Sequence, residues 1–405
     1  MRLKAIAKDF KLLFWVNSKF KSYQLKRDLA RLAHDYNSKA AAKNLAYDAQ
    51  DAVAEFKRRH RIYNPNFSAR ALGNFRVFWV GTSQSQDESG FLQALRRICT
   101  VTVFTDINGE YGIWGGDPNA VKVPSFGEIR EANAGRLLGQ VAHTQKEQGI
   151  DLLLGQMQAR LMPKEALISV QAMGIPVINI SMDDRLPGLW SHLDGVHLGS
   201  VGLSPGVDMT LTTSPETCLW FSVDNCPALF WPLASDPGVY APSSGEVRDI
   251  DVLFIGNKYG VRGEIISYLE RRGVAVDCYG EGWPNGHACA EKMTSLSKRA
   301  RIILGVGTVG YCKDVYTLKL RDFDALMTGA LYLTHRNPDL CRLFKEGKEI
   351  ECYVSPAEAY AKVRYYLDHP GERVAIGLNG QRAAIPEHTW DSRLTRSFQQ
   401  LGLLK

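Results

Sequence analysis

The chain has 405 residues, 45% hydrophobic and 23% charged, which suits a globular protein of two domains plus an extension. It offers no run of about 18 apolar residues to span a membrane. The net charge of +6 is uneven: residues 1–63 hold fifteen Lys/Arg against six Asp/Glu, and a basic excess confined to an arm excludes nucleic acid as the expected partner.

Residues 1–69 read as a basic helical extension. KAIAKDFKLLFWV, KRDLARLAHDY and AAKNLAYDAQDAVAEFKRRH mix apolar and basic faces without Gly or Pro. Such an arm either packs on the main body or meets anionic lipid at the inner face of the membrane through residues 1–62. Phe10, Leu12, Leu13, Phe14 and Trp15 would help that contact. Charges break every apolar run of the first twenty residues, so no secretory leader is expected. The eight cysteines show neither a C-x-x-C pair nor zinc-like spacing, which points to free thiols in the cytoplasm.

A regular alternation occupies residues 70–235. The strand FRVFWVG leads to the loop TSQSQDESG, the helix GFLQALRRI and the strand TVTVFTD. A helix around Arg136–Gln148, the strand DLLLGQM, a helix from Leu161 and the strands PVINISMDD and TLTTS complete it. Near-continuous apolar strands separated by helices predict a parallel sheet covered on both faces. Pro, Gly and Ser crowd residues 231–249, which marks a linker. The rhythm restarts over residues 250–388 with DIDVLFIG, VAVDCYG, RIILGVG and ALYLT, and a helix at 389–405 closes the chain. The predicted class is α/β, two tandem Rossmann-like domains with an N-terminal helical extension.

Ligands of such sheets bind where strands terminate. In FIGNKYGVRG, Gly256 permits close backbone approach, and Lys258 and Arg262 suit a phosphate. The spacing is neither G-x-G-x-x-G nor a P-loop, which disfavours NAD and ATP. YGEGWPNG places Tyr279 and Gly280 at the next strand end, with Trp283 expected to be exposed for packing on a base or sugar. After Gly307 comes LKLRDFDALMTG. Here Thr317 is the expected helix cap, Lys319 and Arg321 reinforce an anion site, and Asp324 can accept from the paired hydroxyls of a ribose. In the first domain, GTSQSQDESG offers amides and hydroxyls. INISMDD ends in Asp183 and Asp184, one of which could act as a base, and His192 and His197 follow as rival bases.

The order of these motifs resembles the group 1 glycosyltransferases, in particular their spore-maturation-protein-like branch. The correspondence lies in DVLFIG with Arg262, YGEGW, the run from Arg321 through Asp324 to Gly329, and Thr389-Trp390-Asp391-Ser392-Arg393. It is strong over residues 250–398 and weaker before them. The resemblance implies the GT-B fold, with a nucleotide-diphosphate sugar on the second domain and the acceptor on the first. Asp324 would then hold the ribose, with Arg262, Lys319 and Arg321 near the diphosphate. Two positions depart from the pattern: Asp324 stands where Glu is commoner, and Tyr316 stands where a second Glu is usual. The expected activity is metal-independent transfer of a hexosyl group to a hydroxyl of a glycan, lipid-linked or protein acceptor, in cell-surface polysaccharide synthesis. A sugar-nucleotide epimerase and a non-catalytic nucleotide-sugar-binding or assembly protein are the alternatives.

Overall fold

The computed structural model describes residues 2–116, 123–243 and 245–405, and side chains from Ser18 onward. The side chains of Phe10, Leu12, Leu13, Phe14 and Trp15 therefore lie outside the described residues. Contacts divide the chain into two compact units. The N-terminal unit comprises Leu32–Pro232 and Trp390–Lys405, and the C-terminal unit Met1–Arg31 and Leu233–Thr389.

The N-terminal unit is built on six parallel strands: β1 (Arg76–Val80), β2 (Thr100–Val103), β3 (Leu152–Gly155), β4 (Val177–Ser181), β5 (Met209–Thr212) and β6 (Ala228–Phe230), in the order β2-β1-β3-β4-β5-β6. The apolar runs explain the burial: Phe78, Trp79, Val80, Leu152, Leu153 and Leu154 are all at most 1% exposed. The first helix, α1 (Arg2–Ala42), runs without a break through the first two of the helical stretches and into the third. Its Tyr36 packs on Trp190 and Trp220 and donates to Asp224. Helix α2 (Ala49–Tyr63) is capped by Asp48, and Tyr63 donates to the buried Asp208 at 2.6 Å.

The closing helix, α5 (Trp390–Gln400), also belongs to this unit. Trp390 packs on Phe91 and Trp231, Phe398 on Phe75, and Arg97 pairs with Asp391.

The C-terminal unit carries five parallel strands: β7 (Ile250–Ile255), β8 (Asp277–Tyr279), β9 (Ala300–Gly305), β10 (Leu331–His335) and β11 (Glu351–Tyr353), in the order β8-β7-β9-β10-β11. The chain reverses direction across the sheet between β7 and β9, which opens a crevice at their carboxyl ends. Helix α3 (Arg262–Glu270) follows β7, and α4 (Leu320–Met327) precedes β10. A short antiparallel hairpin, Thr308–Val309 with Cys312–Tyr316, stands between β9 and α4. Val252, Phe254, Ile265, Ile302, Leu304 and Leu333 form the core. Both units are Rossmann-like, and the fold is that of the GT-B class.

Candidate functional site

The site of the C-terminal unit begins with a glycine that has to be glycine. Gly256, at the end of β7, has φ +145°, and a Cβ there would run into the guanidinium of Arg321. Gly280, φ +134°, ends β8 against it, where a Cβ would lie 2.5 Å from the Gly256 carbonyl carbon. The Gly256 N–H donates to the Tyr279 carbonyl at 2.8 Å, so the two strand ends are stitched together. Trp283 corrects an expectation: it is 7% exposed, donates to the Gly256 carbonyl at 2.7 Å and meets Phe254 edge-on. It is a peg under the glycine rather than a platform for a base, because its indole N–H finds its partner inside the protein. Lys258 stays exposed and lies over the Trp283 ring at 4.9 Å.

Two guanidinium groups converge here. Arg321 lies 4.8 Å and Arg262 5.8 Å from the centroid of the same Phe254 ring. Arg262 also stacks on Tyr259 at 4.0 Å and donates to the Asn257 carbonyl. The Nε of Arg321 is buried without a hydrogen-bond partner, as are Thr308 Oγ1 and His335 Nδ1. Buried donors of this kind ask for a ligand or water. Two like charges side by side at a strand end form a local positive potential that an anion relieves.

Helix α4 carries the rest. Lys319 is its cap residue, and Thr317 lies two positions earlier, which corrects the expected cap. The Thr317 N–H instead bonds the Gly307 carbonyl at 3.0 Å, and its own carbonyl accepts from Asn337. The residue that fixes the helix start is Asp322, which sequence reasoning missed. One of its oxygens accepts from the Lys319 N–H at 2.7 Å and the other from the Tyr332 hydroxyl. Its place three residues after the cap was the available signal. Asp324, two residues on, accepts from Ser235 Oγ at 2.7 Å, and Tyr240 also bonds it. Its residue surface is partly open while protein atoms crowd the carboxyl group. That burial pushes its pKa up to about 7, against the lowering pull of Ser235, Tyr240 and Arg321.

The candidates of the N-terminal unit are less of a cluster. Asp183 follows β4 with φ +61°, a conformation rarely held by a residue with a side chain. Asp184 is 2% exposed. Its oxygens accept from Ser181 and Thr212, and burial lifts its pKa to about 6. His197 sits in the hairpin His192–Leu193/Val196–His197 with its ring 3.6 Å from that of His192, and burial holds its pKa below the usual value. The loop after β1 yields a group the sequence had left as generic polar residues. Asp87 is buried with a pKa raised to about 6, and accepts from Tyr111, which in turn accepts from Trp79 Nε1 at 2.7 Å.

The model of a glycosyl transferase-like family matches residues 262–399. Over those residues the chain is similar to that family. No curated protein matches this sequence. Among solved structures, HepE of Anabaena in complex with UDP-glucose is 11% identical. The alignment covers 82% of this chain and 100% of that one, with a TM-score of 0.56. Sucrose-phosphate synthase of Thermosynechococcus elongatus is 11% identical over 80% of this chain and 98% of that one, TM-score 0.54. A putative UDP-N-acetylglucosamine 2-epimerase of Listeria monocytogenes is 8% identical over 80% and 95%, TM-score 0.50. At such identities the likeness concerns the fold, and that fold is shared by transferases and epimerases alike.

Proposed function

We propose that the protein is a glycosyltransferase that moves a sugar from a nucleotide-diphosphate sugar to a hydroxyl acceptor. The observation that carries this is the pair of guanidiniums on Phe254, one with an enclosed donor lacking a partner, at the glycine-lined strand ends; both arginines lie within the region matched by a glycosyl transferase-like family. As the glycosidic bond breaks, charge grows on the leaving diphosphate. Arg262, Arg321 and Lys319, with the first turn of α4, would meet that charge electrostatically and need no metal to do so. Asp324 would accept from the ribose hydroxyls, Gly256, Tyr279 and Gly280 would line the approach, and Lys258 and Gly307 would border it. UDP is the first nucleotide to test, because HepE is complexed with UDP-glucose.

For the base we propose Asp183, which a left-handed backbone at φ +61° sets just beyond the carboxyl end of β4, where ligands of such sheets bind. The acceptor is proposed to be a glycan or lipid-linked saccharide. The basic segment of residues 1–62 is proposed to hold the protein at an anionic membrane surface in the cytoplasm; no helix among the described residues is long and apolar enough to cross a membrane. Co-sedimentation with anionic vesicles that ignored salt would count against that surface contact. The glycosyl transferase-like match favours transfer over epimerisation, and the spore-maturation-protein-like branch remains the proposed subgroup. Calorimetric titration of uridine, guanosine and adenosine diphosphates into wild type and Asp324→Ala tests the donor site. The expected result is one preferred nucleotide whose affinity drops in the variant. Equal affinity in both proteins would remove Asp324 from the site.

A further inference from the structure

Away from the strand-end crevice, the C-terminal unit brings two cysteines together. Cys341 lies on the short helix Pro338–Leu343 and Cys352 on β11, and their sulfurs are 3.9 Å apart. Cys341 is half-buried and so reachable from solvent, whereas Cys352 is 1% exposed behind it. Arg336 and Glu346 stand beside the pair, joined to each other as an ion pair. The six other cysteines have no such neighbour among the described residues; Cys289 is exposed, and the rest are buried.

We propose that Cys341 and Cys352 form a reversible dithiol–disulfide couple, with Cys341 as the attacking thiol and Cys352 as the resolving one. A reactive thiol is one that ionises easily and can be reached. Cys341 meets both conditions. The contact between the two sulfurs, in which either thiol can donate, together with the nearby Arg336 charge, outweighs burial and Glu346 and holds its pKa below the ordinary thiol range. Cys352 is held above that range, by its hydrogen bond to Cys341 first and by burial second. The order of events follows from access: an external disulfide reaches Cys341, and Cys352 stands enclosed behind it.

With a low-molecular-weight disulfide as oxidant, the Cys341 thiolate attacks one sulfur. The S–S bond of the oxidant breaks, one thiolate leaves, and a mixed disulfide remains on Cys341. The negative charge that raised the pKa of Cys352 is then gone. Cys352 loses its proton to the released thiolate and attacks the Cys341 sulfur, which expels the second small thiol. Two protein thiols have given two electrons and two protons to one external disulfide. The sulfurs need only close from 3.9 Å to the bond length of about 2.05 Å.

Glu346 completes a group of three that could also hold a metal ion, with all ligand atoms within 4.8 Å of one another. The Arg336 guanidinium already neutralises that carboxylate and would repel a cation, so the geometry favours the thiol chemistry.

The test uses the full-length protein, first fully reduced, then exposed to oxidised glutathione and mapped by peptide mass. The expected product is a Cys341–Cys352 disulfide lacking two hydrogens, while the exposed Cys289 keeps its glutathione. Cys352→Ser should trap glutathione on Cys341, and Cys341→Ser should leave Cys352 unmodified. Wild type alone already decides the matter should a variant misfold. A stable glutathione adduct on wild-type Cys341, or Cys341 reacting more slowly than Cys289, would overturn the proposal. So would a stoichiometric bound zinc ion that both substitutions abolish.

Discussion

Arg321→Ala separates the work of a guanidinium on the diphosphate from its work on the fold. Arg321 rests on Phe254 beside Arg262, with its Nε enclosed and unpartnered. Removing it relieves repulsion between two like charges, on the order of a few kcal/mol at the effective dielectric of a protein surface. The melting temperature should therefore hold or rise. Binding should behave in the opposite way. A guanidinium gripping a diphosphate makes charge-assisted hydrogen bonds worth about 1.5–3 kcal/mol each, and Arg262 and water recover part of that loss. A net loss of roughly 2–4 kcal/mol corresponds to a UDP dissociation constant about thirty- to thousand-fold higher. Uridine, which lacks the diphosphate, should change less than about two-fold on the same scale. Titration calorimetry should be run near pH 8.5, because Arg321 also helps keep the Asp324 carboxyl ionised and its loss raises that pKa further. Equal weakening of uridine and UDP, or a UDP affinity left unchanged, would refute the assignment.

Three further outcomes follow from the buried carboxylates. Asp324 has a folded pKa of about 7, raised from 3.8, so it is ionised above neutrality and protonated below. UDP affinity should fall as pH drops from 8 to 6, and Asp324→Asn should flatten that slope. The same shift makes the native state relatively most stable below the unfolded pKa, and that stability is lost as pH rises through about 7. Asp324→Asn should thus gain roughly 1–4 kcal/mol in urea denaturation at pH 8 and little at pH 4. Asp184→Ala should lose about 1–3 kcal/mol in the same assay, because the enclosed Ser181 and Thr212 hydroxyls would lose their charged acceptor and keep only the Ser200 and Thr217 hydroxyls. A neutral Asp184→Ala would show that water replaces the carboxylate at no cost.

The sequence by itself determined both sheets, since apolar runs of four to six residues broken by helices leave few other ways to bury Phe78, Leu153, Phe254 or Leu333. It also pointed to Gly256 and Arg262 after a strand and to Arg321 at a helix start as the proposed anion site, because position in a parallel sheet and residue type are enough to propose one. What only the tertiary structure decided involves partners distant along the chain. Trp283 is buried because its indole reaches the Gly256 carbonyl 27 residues away. The start of α4 depends on Tyr332 and Lys319 sharing the Asp322 carboxylate. Asp324 has a pKa near neutrality because burial raises it further than the hydrogen bonds of Ser235 and Tyr240 from the linker, and the Arg321 charge, lower it. Cys341 and Cys352, scattered thiols by spacing, become a pair only when a helix and an edge strand pack together. Periodicity reports which face of an element is buried; it carries no information on which distant atom completes a hydrogen bond, and that atom sets the chemistry.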